Sequence, residues 1–299
     1  MKKIFVILGL SMLMACENES GIHTGSELTN ESNTAIVSIH VDDFSVEQGE
    51  MPPTTRGTAV SDYASLKAIT LAFYKSDGSQ QYKAIQFRDS MGEGETFGEF
   101  TTSLPMGSFT MVVLGSSATN AAANVTLTDA TTAGYDDSVR ETFLATQTVT
   151  VSSNEPLNLT ASLNRIIAKV SVVSIDGRAA DVHAIRTTFS GGGKSFNPTT
   201  GLNTSDVGFS NTVTTTVVVG NTTNIGNAIF LASDEQTMDI TIETLDADNH
   251  VLFSKTVTNV PLKRNRQTTL TGAMYTAGAS ASSFQLTTTD WLTSNNVTF

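Results

Sequence analysis

The sequence predicts an all-β protein, and three observations carry that expectation. Beyond residue 34 the chain is rich in Thr, Val and Ser, and only 15% of the 299 residues are charged. Its short runs alternate apolar with polar residues, the period of a half-buried strand. Gly, Asn, Asp and Ser separate the runs, where turns need them. After the first 34 residues about 260 remain, a length that suits two domains. Two β-rich series of similar size suggest a duplicated sandwich, each copy burying one face of its strands. No fixed-period repeat is present.

The N-terminus reads "MKKIFVILGLSMLMAC". Lys2 and Lys3 precede an apolar run over 4–15 that is too short to span a bilayer. Residues 1–15 therefore read as a secretory signal. Leu13, Ala15 and Cys16 fit a bacterial lipobox, with Met14 departing from its usual small residue. Cys16 is the only cysteine, so no internal disulfide is possible, and its place at the end of the signal makes it the expected lipid attachment site. The predicted mature chain starts there, outside the cytoplasm. Its net charge changes from 17−29 = −12 to 15−29 = −14 when Lys2 and Lys3 are removed. Such acidity argues against nucleic acid and against a polybasic membrane patch. Residues 16–34 lack apolar periodicity and are read as a flexible tether. The acidic "ENES" after Cys16 loosely resembles a surface-export signal of Bacteroidales lipoproteins.

The strands follow in order. "AIVSIHV" (35–41) places Ala35, Val37, Ile39 and Val41 on one face. "LKAITLAFY" (66–74) and "QYKAIQF" (81–87) flank "KSDGSQ" as a hairpin. "LPMGSFTMVVLG" (104–115) turns at Pro105 and Gly107 and puts Phe109 and Met111 on one face; this pattern is similar to strands of transthyretin-like sandwiches. Residues 116–144 are less regular and are expected to hold a short helix in an extended loop. "TQTVTVSS" (146–153) and "PLNLTASL" (156–163) are strands. A boundary then divides 35–162 from 163–299. The second series comprises 164–176, 183–189, 214–220, 228–233, 237–246, 250–258 and 266–276, with a hairpin turn at "ADN". The tail 282–299 closes the chain.

"MPPTTRGTAV" (51–60) has neither pattern. Pro52 and Pro53 stiffen it and keep it out of a sheet interior. No other Lys or Arg lies between Cys16 and Arg56. A single basic residue in an accessible Pro/Thr loop suits a trypsin-like protease, which would cut between Arg56 and Gly57.

Catalytic and metal chemistry finds no motif. His23, His40, His183 and His250 are scattered, without metal-ligand spacing. "GGGKS" (191–195) lacks the preceding glycine of a phosphate loop, since Thr188 stands there, and Phe196-Asn197-Pro198 follows where a helix should begin; a flexible hairpin loop is expected. Asp136-Asp137 and Asp246/Asp248 read as turn and cap residues. No Gly-x-Ser-x-Gly elbow occurs. The expectation is a non-enzyme with no metal and no cofactor. Asp89-Ser90-Met91 and Asp137-Ser138-Val139 resemble an O-glycosylation triplet of exported Bacteroidales proteins.

Taken together, a lipobox, a strand, an exposed Arg56-Gly57, "LNRIIAKVSV" (163–172) and "NVPLKRNRQTTLTGAMYT" (259–276) resemble the fimbrillins, the type V pilin subunits of Bacteroidales. The most distinctive parts are Arg165, Ala168, Lys169 and Val170, and Pro261, Leu262, Arg264, Asn265, Thr271 and Gly272. They are read as fold markers. The resemblance implies two transthyretin-like sandwiches and a lipidated precursor at the outer membrane. It also implies removal of the first strand by an arginine-specific protease, and assembly by strand exchange with other fimbrial subunits. Here the removable strand would hold Ala35, Val37, Ile39 and Val41 within a prosegment ending at Arg56. The donor would be the tail, with Phe284, Leu286, Trp291, Val297 and Phe299. The prosegment 16–56 carries eight acidic residues and one arginine, so its loss leaves 14−21 = −7. Stalk, anchor and tip roles stay open, as do host or bacterial surface ligands. A different class also fits: a surface glycan-binding lipoprotein of a nutrient-uptake system. That role needs an aromatic platform, and the only tryptophan is Trp291, which is read as a packing residue of the last strand.

Overall fold

The computed structural model describes residues 33–44, 60, 62–276 and 284–290. They form eighteen strands and two single 3-10 turns, with no α-helix among the described residues. Seven strands make one sheet: β1 Thr34–Phe44, β2 Ala68–Lys75, β3 Gln80–Phe87, β4 Glu99–Pro105, β5 Gly107–Ser116, β8 Thr142–Val151 and β9 Leu157–Arg165. Their order is β3-β2-β5-β8-β9-β1-β4. β8 and β9 share only two ladder positions, Phe143 with Arg165 and Leu144 with Asn164. The sheet therefore divides into two arms, and the inward residues of both arms fill one core.

The alternation read from the sequence sets that core. β1 buries Ala35, Val37, Ile39 and Val41, β2 contributes Ile69, Leu71 and Phe73, and β5 contributes Phe109, Met111 and Val113. The β2–β3 turn is an Asx-type turn: Asp77 accepts hydrogen bonds from the Ser79 amide and hydroxyl, and Gly78 takes φ +82°. The "EFTTSLP" stretch yields β4, a strand the sequence reading passed over before residue 104.

The irregular segment 116–144 holds a 3-10 turn at Ala121–Ala123 and two short strands, β6 Thr126–Leu127 and β7 Ala133–Gly134. β7 pairs with β12 Ser195–Phe196. The GGGKS stretch leading into β12 is a packed loop and not a flexible one. Gly191, Gly192 and Gly193 are buried. A Cβ on Gly193 would meet the Asn203 amide at 2.4 Å, and Gly192 has φ +63° with the Phe230 carbonyl 2.7 Å from its would-be Cβ.

The remaining strands form two four-stranded sheets. One is ordered β14 Asn224–Ile229, β10 Ala168–Ser174, β17 Arg266–Gly272, β18 Gln285–Asp290; the other is β13 Phe209–Thr214, β11 Ala184–Phe189, β15 Glu235–Leu245, β16 Val251–Lys263. Their facing residues, among them Val170, Ile185, Ile240 and Leu270, make a second core. The strand expected over 214–220 is instead β13, which ends at Thr214. Beyond it the Arg178 guanidinium takes the Val217 carbonyl at 2.6 Å and the Gly220 amide donates to the Arg178 carbonyl, so 215–220 is a loop with Val218 and Val219 exposed. Similarly, 228–233 is displaced, with β14 ending at Ile229, and the strand expected over 266–276 ends at Gly272.

Candidate assembly site

β1 is the element on which the site is built. It pairs antiparallel with β4, from Thr34 opposite Pro105 to His40 opposite Glu99. It also pairs parallel with β9, from Val37 opposite Leu157 to Val41 opposite Ala161. The first strand of the chain thus fills a slot between two strands that come much later. Its inward residues are sealed: Ala35 is 1% exposed, Val37 and Ile39 0%, and Val41 2%. At about 1.5–3 kcal/mol for each buried Val- or Ile-sized side chain, the three larger ones hold the strand strongly. On the outward side the His40 ring is hydrogen-bonded to Glu99. Taking β1 out would leave β9 with an unpaired edge, β4 at the end of the sheet without its ladder partner, and an apolar floor between them.

Val60 and Tyr63 are buried in the same core, and β2 begins shortly after Leu66. Arg88 fastens this stretch. It donates to the carbonyls of Leu66 and Val60, each at 2.7 Å, and of Tyr63 at 3.3 Å, and it lies 4.3 Å above the Phe97 ring. A second clamp is Arg165, 5% exposed. Its guanidinium donates to Glu141 Oε1 at 2.5 Å, to the Tyr63 hydroxyl at 3.0 Å and to Asn265 Oδ1 at 2.8 Å. Tyr63 in turn donates to Glu141 at 2.7 Å. Burial, and then the Glu141 charge, push the Tyr63 phenol up to about 12. The two motifs read as fold markers therefore meet: Arg165 from one touches Asn265 from the other. Asn265 sits at φ +58° and donates its amide to the Ile167 carbonyl. Sequence reasoning missed Arg88, Tyr63 and Glu141; the lone signal available was a charged pair in a chain otherwise poor in charge.

At the other end, β18 pairs antiparallel with β17, from Thr271 opposite Gln285 to Arg266 opposite Asp290, and forms the outer strand of its sheet. Phe284 packs against the second core, while Leu286 is 41% exposed. Residues 285–289 are all exposed, as befits a strand at the edge of its sheet. Cys16, Arg56, Gly57, Trp291, Val297 and Phe299 lie outside the described residues.

Other chemistry-bearing residues serve turns. Asp246, Asp248 and His250 offer ligand atoms within 4.8 Å of one another. Asp246 already accepts the Asp248 and His250 amides on one oxygen and the His250 ring on the other, closing the β15–β16 hairpin. A cleft of about 610 Å³ opens where β8 and β9 part, against the Lys263–Asn265 turn. Its lining includes no aromatic ring on which a sugar could stack. Among the described residues no helix is long and apolar enough to cross a membrane.

A family model matches residues 29–284, from before β1 to Phe284, and so includes both the slot and its filling strand. The chain belongs to the family of unknown function DUF6562. No curated protein matches it in sequence. Solved structures share the fold of this DUF6562 member. The fimbrial anchor protein Mfa2 from Porphyromonas gingivalis aligns with a TM-score of 0.51 at 12% identity, covering 86% of this chain and 98% of its own. A candidate adhesin from Bacteroides thetaiotaomicron aligns with a TM-score of 0.52 at 11% identity, covering 87% of this chain and 97% of its own. At such identities the likeness is one of fold.

Proposed function

We propose that this protein is a structural subunit of a cell-surface fimbria. It is exported as a lipoprotein through Cys16, cut after Arg56, and assembled by strand exchange at the β1 slot. It is divided into two sandwiches, with the join placed after Arg165, where β9 ends, and not at the 162/163 boundary expected from the sequence, which would cut that strand. The single observation that carries the reading is the placement of β1. The first strand among the described residues is sealed between β4 and β9, and in sequence it is joined to the rest through the segment that contains Arg56. A fold shared with a fimbrial anchor protein and a candidate adhesin supports it. In this scheme Arg88 and Arg165 keep the stretch around Val60 and Tyr63 seated after the cut, so that only β1 becomes exchangeable. Release is slow until a donor strand displaces it, because the packing and both ladders remain. The tail 282–299 is the proposed donor strand toward a neighbouring subunit.

The test is Arg56→Ala. The purified precursor is expected to be monomeric, and an arginine-specific protease is expected to cut it at Arg56 and permit assembly with partner subunits. Arg56→Ala should remain monomeric under the same treatment. Assembly of Arg56→Ala equal to that of the unsubstituted chain would sink the cleavage step and favour an uncut anchor. That second reading has its own support, since the solved fimbrial protein with which the chain shares its fold is itself an anchor. N-terminal sequencing of protein taken from cell surfaces separates the two: a lipidated Cys16 start means anchor, a Gly57 start means a cut subunit.

A further inference from the structure

We infer that the β1 slot is built for a strand of a different protein and not for the tail of a second copy of this chain. This rests on the strand-exchange reading above and names the partner it requires. The slot presents four consecutive inward positions, filled by Ala35, Val37, Ile39 and Val41, all 2% exposed or less. The first is small and stands opposite Leu104; the next three are β-branched aliphatics. On the outward side the position after Ile39 faces Glu99, to which the His40 ring is hydrogen-bonded. The occupant also runs parallel to β9 and antiparallel to β4.

The tail does not meet these demands in any register. An extended strand sends alternate residues inward. Across "SSFQLTTTDWLTSNNVTF" (282–299), no run of four alternate positions contains more than two apolar residues. Phe284 with Leu286 leaves Thr288 and Asp290 inward. Val297 with Phe299 leaves Thr293 and Asn295 inward. Reversing the strand changes the order but not the count. Every register therefore places at least two hydrogen-bonding side chains against an apolar floor, where a buried polar group without a partner is strongly disfavoured. Aromatic rings in the better registers would also overfill positions shaped by Val and Ile. The slot instead fits an extended strand that carries a small apolar residue, then three aliphatic residues at two-residue steps, and a basic or histidine side chain directly after the second of those three. Assembly through this slot is then between unlike subunits.

The experiment uses the full chain cut after Arg56, with the single cut verified by mass. Three fluorescent peptides compete for the slot: the β1 sequence 34–44, the tail 282–299, and the tail carrying Thr288→Val and Asp290→Ile. The β1 peptide should exchange in saturably. The natural tail should bind at least about 30-fold more weakly, as two unpartnered buried polar groups imply, and the substituted tail should recover much of that loss. A natural tail that binds as tightly as the β1 peptide overturns the inference while leaving strand exchange standing. Failure of the β1 peptide itself to exchange into the cut protein overturns both.

Discussion

Arg165 shows how one residue serves several parts of the molecule. Its side chain is 1% exposed and its partner Glu141 12%. A charge so placed is tolerated only when its donors are matched, and here Glu141, the Tyr63 hydroxyl and Asn265 match them. The Tyr63 phenol is the titrating member of the group. Burial and Glu141 raise it from 10.0 to about 12. The folded protein thus keeps a proton that the unfolded chain releases, so this contribution is complete below about pH 10 and fades as pH rises toward 12. Tyr63→Phe should flatten the decline of stability between pH 8 and 12 compared with the unsubstituted protein. Urea denaturation across that range measures it. Tyr135 is also raised to about 12 by burial, so some decline should remain.

At the scale of elements, β1 and β18 are opposites. β1 is flanked on both sides and sealed along one face, whereas β18 has one partner and exposed residues throughout 285–289. The stretch 274–276 beyond β17 is held by Asp176, two residues past the end of β10. Its carboxylate accepts the amides of Met274 and Tyr275 at 2.9 and 2.8 Å and that of Thr276 at 2.9 Å. Burial alone would raise this carboxyl, but the three amides and the Thr276 hydroxyl outweigh it and hold it below the ordinary aspartate value. Asp176→Ala should cost about 1.5–3 kcal/mol, the range for hydrogen bonds to a charged group. It should also speed amide exchange in β17 and β18 while leaving β1 unchanged. Equal acceleration in β1 would mean that Asp176 acts on the whole molecule and not on this junction.

At the scale of the whole molecule, a third core joins the two larger ones. Tyr74, Val112 and Leu114 on the far face of the first sheet meet Leu127, Tyr135, Ile166, Phe196 and Phe230. Phe230 is its centre: its ring lies 4.4 Å from that of Phe196 and stacks on Tyr135 at 6.3 Å with a 10° interplanar angle. With the β7–β12 ladder alongside, the halves should unfold in one transition. Phe230→Ala should cost about 3–5 kcal/mol and, by weakening this junction, split calorimetric unfolding into two steps. A single sharp transition at unchanged temperature would show that the third core contributes little to coupling.

The sequence by itself determined the all-β class, the alternating face of β1, the shared face of Phe109 and Met111 in β5, the hairpins at Asp77-Gly78 and Asp246–His250, and the two motifs around Arg165 and Asn265. Each is local, depending on a two-residue period, a turn side chain or a residue suited to positive φ, so each is written in neighbouring positions. Only the tertiary structure decided that β1 lies between β4 and β9, since nothing in residues 34–44 names partners some 60 and 120 residues away. It also decided that the triple glycine is packed, and that the valines of 215–220 lie outside any strand because Arg178 holds their loop. Pairing of this kind is set by which edges remain open once the cores close. That is a property of all the strands together, and it is why the candidate site became legible only in three dimensions.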